Sequence, residues 1–148
     1  MRIRAAALIV QNESIAVIER HRAGRHYFTF PGGGVEPGET PAQAAVREVL
    51  EELGLHIRVV RRVAEVWFRG ERQDHFLAEA TGGTFGTGEG EEFSASHRPL
   101  HGTYKPLWIP VADLPGKLVL PAGVAAIAVK ALTDGWPDEV AVLHEPQR

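Results

Sequence analysis

Apolar and polar positions alternate along this chain in two rhythms. Arg2 to Val10 and Ile15 to Arg20 are apolar, β-rich runs on either side of Gln11-Asn12-Glu13-Ser14, which predicts a hairpin. Ile57 to Phe68 and Gln73 to Ala80 predict two further strands, and Tyr104 to Ile109 another. From Ala122 to Leu132, alanines and aliphatics recur at helical spacing and predict a last helix.

The densest signals lie between Phe30 and Leu55. Phe30-Pro31-Gly32-Gly33-Gly34 reads as a loop, because Pro lacks a donor and three glycines free the backbone to approach a ligand closely. A phosphate-facing loop and a plain tight turn both fit. Thr40 is a natural N-cap, Pro41 suits the first helical position, and Gln43 completes a capping box. The helix is expected to begin near Pro41 and to stop at Gly54, which suits a left-handed C′ position before apolar Leu55.

At about 100° per residue, Ala42, Val46, Val49 and Leu53 form one stripe, expected to pack on the core. Glu48, Glu51 and Glu52 form a different stripe, with Ala44 and Ala45 leaving room beside it. Carboxylates about 6 Å apart repel by roughly 0.7 kcal/mol per pair in water and nearer 3 kcal/mol at an effective dielectric of about 20. An exposed acidic face tolerates this. If the face lines a cleft, the repulsion calls for a cation, and hard oxygen donors select Mg²⁺ or Mn²⁺.

Composition adds limits. With 44% hydrophobic residues and no long apolar run, the chain is expected to bury one core without crossing a membrane. Met1 to Val10 shows no secretory signal pattern. Zero cysteines exclude disulfides, thiolate metal sites and a Cys nucleophile. A cytoplasmic setting is the expectation. A net charge of −3 creates no field for a long nucleic acid, so a small phosphorylated partner fits better.

The stretch from Gly33 to Leu55 resembles the Nudix box: Gly, five residues, Glu, seven residues, Arg-Glu, an aliphatic, any residue, Glu-Glu, any residue, Gly, aliphatic. Gly33, Glu39, Arg47, Glu48, Val49, Glu51, Glu52, Gly54 and Leu55 fill its nine specified positions across 23 residues. The resemblance is close over the box and loose over the rest. It implies a single Nudix domain over 1–148, folded as an α/β/α sandwich with a mixed β-sheet.

It also implies an enzyme that hydrolyses a nucleoside diphosphate linked to another group. Glu48, Glu52 and Glu51 would hold Mg²⁺ (or Mn²⁺), with a backbone carbonyl from Gly32-Gly33 as a further ligand. Arg47 would orient the glutamates, with Glu39 as partner; a surface i,i+4 pair with Glu51 is the bland alternative. The general base would be Glu48 or a glutamate from a later loop. Thr81 to Thr103 is such a loop, Gly-rich and carrying Glu89, Glu91 and Glu92 as candidates for a base or extra ligand.

Substrate choice is less legible. Arg20, His21, Arg22, Arg25 and His26 crowd the stretch before the glycines, and Arg20, Arg22, Arg25, Gly33 and Gly34 are candidate phosphate contacts, unless the stretch is simply a solvated loop. Tyr27, Phe28, Trp67 and Phe68 would either stack on a base or join the core. About sixteen residues past the box, Glu71-Arg72-Gln73 carries neither the proline of ADP-ribose hydrolases nor the tyrosine of dinucleoside polyphosphate hydrolases. The markers of coenzyme A and NADH hydrolases are also missing, and isopentenyl diphosphate isomerase needs a cysteine. What is left resembles the MutT-type group, which cleaves (deoxy)nucleoside triphosphates, oxidised ones included, to monophosphate and pyrophosphate. A nucleotide-sugar, ADP-ribose or dinucleotide hydrolase and a non-catalytic nucleotide-sensing module are the alternatives. Nudix domains often pair, so a homodimer is open, and Trp136 with the tail from Pro137 would pack on the domain or on a partner.

Overall fold

The computed structural model describes residues 2–88 and 102–145. β1 (Ile3–Gln11) and β2 (Ser14–Arg22) form the expected hairpin, with Val10 opposite Ile15. Its turn residues Asn12 and Glu13 take φ of 50° and 65°, the double left-handed conformation of a two-residue turn that matches strand twist. Beyond that turn the strands diverge. β1 pairs β4 (Gly32–Gly34) on one side and runs parallel to β6 (Glu71–Gly83) on the other, whereas β2 pairs β3 (Arg25–Thr29) and β7 (Thr103–Pro110). A cleft opens where the two sets separate.

β5 (Leu55–Phe68) pairs antiparallel with β6 and parallel with β9 (Ala141–His144), and β8 (Val119–Leu120) runs parallel to β3 after a 3₁₀ turn over Val111–Gly116. The sheet order is β8-β3-β2-β1-β6-β5-β9, with β4 and β7 branching from β1 and β2. The predicted strands are all present, extended by one to three residues at most of their ends. Within the described part of the tail, β9 pairs with β5, and Trp136 packs against the core.

Alternation within β1 separates two cores. Leu8, with Ile15 and Val17 of β2, packs against Val124, Ala125 and Ala128 of α2 (Ala122–Asp134). Ala7 and Ile9, with Ala16 and Ile18, pack against Val49 and Leu53 of α1 (Pro41–Leu53). The helices therefore lie on opposite faces of a mixed sheet. No helix among the described residues is long and apolar enough to cross a membrane.

α1 starts and stops as expected. Thr40 Oγ1 accepts from the Gln43 N–H at 3.1 Å, the Gln43 side chain accepts from the Thr40 N–H at 2.9 Å, and Gly54 closes the helix at φ 77°. A cap of this kind is worth about 1 kcal/mol. Its rotation differs from expectation. The buried residues are Ala44, Ala45, Glu48, Val49, Glu52 and Leu53, while Val46 is 37% exposed and Ala42 only half-buried. The inward stripe therefore includes two carboxylates, and Ala44 and Ala45 pack on Ala5 and Phe76 rather than leaving space. Hydrophobicity alone pointed to Val46 because it assigned the acidic residues to solvent.

Two further expectations are corrected. Gly32–Gly34 is a short strand hydrogen-bonded to β1, an approach that needs Gly32 to lack a Cβ, which would collide with the Ala5 carbonyl and Ala6 Cα. The basic stretch Arg20 to His26 is the end of β2 and the start of β3, turned at Ala23 and Gly24 with φ of 52° and 77°.

Candidate active site

The inward face of α1 meets the glycine strand at the diverging hairpin. Glu48 and Glu52, 6% and 5% exposed, lie one helical turn apart and both line a cavity of about 620 Å³. The Gly32 N–H donates to Glu52 Oε1 at 3.3 Å. Gly33 faces Glu48 so closely that a Cβ placed there would sit 2.5 Å from the carboxylate Cδ and Oε1. Only a residue without a side chain lets strand and carboxylate meet at that distance.

Arg47 holds this corner together. Its Nε and Nη2 donate to the two oxygens of Glu39 at 2.9 and 3.0 Å, Nη2 also reaches the Gly34 carbonyl at 3.0 Å, and Nη1 donates to Glu48 Oε1 at 2.9 Å. Glu51 is a weak partner at 3.4 Å, so the i,i+4 surface pair is the minor contact. The Glu39 hydrogen bonds raise the Arg47 pKa further above its already high value, and the same bonds lower that of Glu39. This leaves Glu48 Oε2 buried with no hydrogen-bond partner among the described residues.

The lining is also basic. Arg2 just before β1, Arg4 of β1, Arg20 and Arg22 of β2, and Arg69 of the β5–β6 turn line the same cavity as Glu48, Glu52 and Glu71. Arg20 is only 9% exposed; its Nε donates to the Thr103 carbonyl at 2.9 Å and its guanidinium lies 3.7 Å from the Tyr104 ring centre. Tyr27 and Phe68 line the cavity as well, whereas Phe28 is in the core and the Trp67 indole N–H donates to Glu65 at 2.8 Å. His75, also in the lining, is 1% exposed, and burial lowers its pKa to about 4, so the ring is neutral at physiological pH.

The fold thus gathers Glu48, Glu52, Gly32, Gly33, Gly34, Arg20 and Arg22 around one cavity, with Arg47 and Glu39 directly behind it. Glu51 is partly exposed and is not part of the cavity lining, and Arg25 stands outside it, 5.4 Å from the Tyr27 ring. Glu89, Glu91 and Glu92 lie outside the described residues. Arg2, Arg4, Arg69, Tyr104 and His75 were not anticipated. Arg2 and Arg4 had a signal, since residues two apart at the start of an apolar strand share a face; lone His75 had none.

Comparison with known proteins indicates a hydrolase acting on acid anhydrides. A family model described as the NUDIX domain matches residues 1–129, and the chain belongs to that family, whose hydrolases act on pyrophosphate bonds and generally use a divalent metal ion. The RNA pyrophosphohydrolase of Yersinia enterocolitica is 42% identical over 64 residues, which is 42% of this chain and 37% of that protein. The match therefore spans well under half of that relative. Among solved structures, an ADP-ribose pyrophosphatase from Streptococcus suis superposes with a TM-score of 0.67 at 18% identity, covering 97% of this chain and 98% of that one. A NUDIX hydrolase from Nitrosomonas europaea superposes with a TM-score of 0.72 at 14% identity, covering 97% and 79%. These likenesses show a shared fold.

Proposed function

We propose that this chain cleaves (deoxy)nucleoside triphosphates to a monophosphate and pyrophosphate, with Mg²⁺ (or Mn²⁺) held by Glu48 and Glu52. The observation that carries this reading is the lining of one cavity by five arginines together with the two buried carboxylates of Glu48 and Glu52. A metal ion suits the carboxylate pair: the donors are hard oxygens, they are buried together, and Glu48 Oε2 has no hydrogen-bond partner among the described residues that would compete. When bound, such an ion supplies neutralisation of the phosphate charge and acidifies a water molecule. Glu51, more exposed, is a candidate outer ligand.

The chain's own groups do the rest. Arg2, Arg4, Arg20, Arg22 and Arg69 bind the phosphates, and their number favours a substrate with more anionic charge than a single diphosphate link. Gly33 allows Glu48 to approach the glycine strand, and Arg47, anchored by Glu39, fixes the Glu48 carboxylate. Water oxygen attacks phosphorus, the bridging P–O bond breaks, pyrophosphate leaves, and the water's proton passes to a carboxylate, for which Glu48 is a candidate if Glu52 rather than Glu48 Oε2 holds the ion. Tyr27 and Phe68 offer faces for a base.

The similarity to RNA pyrophosphohydrolases favours a second reading in which the same anhydride is presented at a triphosphorylated RNA end. A panel of nucleoside triphosphates, ADP-ribose, nucleotide sugars, dinucleoside polyphosphates and a short triphosphorylated RNA, assayed with Mg²⁺ for pyrophosphate, phosphate or mononucleotides, separates the readings. Pyrophosphate release from triphosphates supports the first. Turnover of ADP-ribose, nucleotide sugars or dinucleotides alone contradicts it.

A further inference from the structure

The β2–β3 hairpin carries a different chemistry on each face. Arg20 and Arg22 line the cavity, whereas Glu19 and His21 alternate to the opposite face, with His26 of β3 directly across from His21. The two imidazoles stack with ring centres 4.2 Å apart and planes 3° from parallel. His26 Nε2 lies 2.8 Å from Glu19 Oε2, and His21 Nε2 lies 3.9 Å from the same oxygen. One ligand atom from each of the three residues falls within 4.8 Å of the others.

We propose that Glu19, His21 and His26 form a second metal site, outside the catalytic cavity, for a borderline transition ion of the Zn²⁺ type. Two imidazole nitrogens and one carboxylate oxygen suit Zn²⁺, Ni²⁺ or Cu²⁺, whereas Mg²⁺ prefers an all-oxygen shell. Tetrahedral Zn²⁺ with bonds near 2.0–2.1 Å holds its ligand atoms about 3.3 Å apart, between the 2.8 and 3.9 Å separations already present. The imidazole nitrogens lie within 4.8 Å of each other, so side-chain rotations that unstack the two rings would assemble the site. All three residues stand on paired strands in fixed register, which limits the ordering cost of binding. The histidines are half-exposed, so the remaining position is open to water. Lys105 is paired with Glu19 on β7, and Lys117 lies 5.6 Å from the Phe28 ring.

The test is a calorimetric titration of Zn²⁺ into the metal-stripped full chain in saturating Mg²⁺, which occupies the catalytic carboxylates. One equivalent of Zn²⁺ is expected to bind, and His21→Ala and His26→Ala are each expected to weaken it by at least about tenfold, while Glu52→Gln leaves it unchanged. Co²⁺ in place of Zn²⁺ is expected to give ligand-field bands that disappear in the same two variants. The substitutions are at exposed positions, and unchanged melting without zinc verifies folding. Absence of binding in Mg²⁺, binding insensitive to both histidine substitutions, or binding lost with Glu52→Gln alone overturns the proposal.

Discussion

Gly33→Ala isolates the contact between the glycine strand and α1. The added Cβ would lie 2.5 Å from Glu48 Cδ and Oε1 and 2.7 Å from Oε2, against 3.4 Å for an ordinary contact. The carboxylate must therefore retreat by about 0.9 Å, which disturbs its hydrogen bond from Arg47 Nη1. A misplacement of about 1 Å at a reacting centre costs on the order of 10²-fold in rate, or about 2.7 kcal/mol of transition-state stabilisation. Overpacking adds about 1–3 kcal/mol of destabilisation, which lowers Tm by several degrees without abolishing the fold. The assay is kcat per folded molecule under saturating Mg²⁺ and nucleotide, with folding followed by circular dichroism. Gly32→Ala is the contrast, because its Cβ would meet the Ala5 carbonyl and Ala6 Cα of β1, which cannot swing aside; that variant is expected to lose stability first. A folded Gly33→Ala enzyme with kcat within about threefold of wild type would refute the idea that Glu48 position limits turnover.

Glu52→Gln is expected to keep the fold and to lose activity by about 10²-fold or more, a larger loss than those seen for outer-shell partners; full activity at saturating Mg²⁺ contradicts its assignment as a ligand. Val46→Asp is expected to cost no more than about 1 kcal/mol, because Val46 faces solvent, whereas Val49→Asp, fully buried, is expected to cost about 3 kcal/mol or more. Urea midpoints compare the two, and equal losses would mean that α1 is rotated otherwise. His75 is held neutral, so the unfolded chain binds its proton first as pH falls. The resulting stability is present above pH 6.5 and is lost down to about pH 4, worth about 3 kcal/mol at 1.36 kcal/mol per unit. Urea unfolding across that window, compared with His75→Leu, is expected to show a shallower pH slope in the variant; identical slopes would remove His75 from the explanation.

The chain's local chemistry was sufficient for a good part of this protein. Capping at Thr40 and Gln43, the stop at Gly54, the Asn12-Glu13 hairpin turn and the spacing of Arg47, Glu48 and Glu52 depend on residues within a few positions of each other, so they are visible in one dimension. The rotation of α1 was not, because burial of Glu48 and Glu52 depends on a cavity whose walls come from β1, β2 and β4, and an acidic stripe by itself reads as solvent-facing. Gly32–Gly34 became a strand only because β1 presents an edge to it, and Arg2, Arg4, Arg69 and His75 reached the site through pairings that span up to some seventy residues of chain. Residue types and short-range geometry thus determined the family and the helix that bears the carboxylates. Long-range strand pairing decided which face of that helix is interior and which arginines share its cavity, since side-chain direction in a sheet follows from register, a property that no single strand possesses.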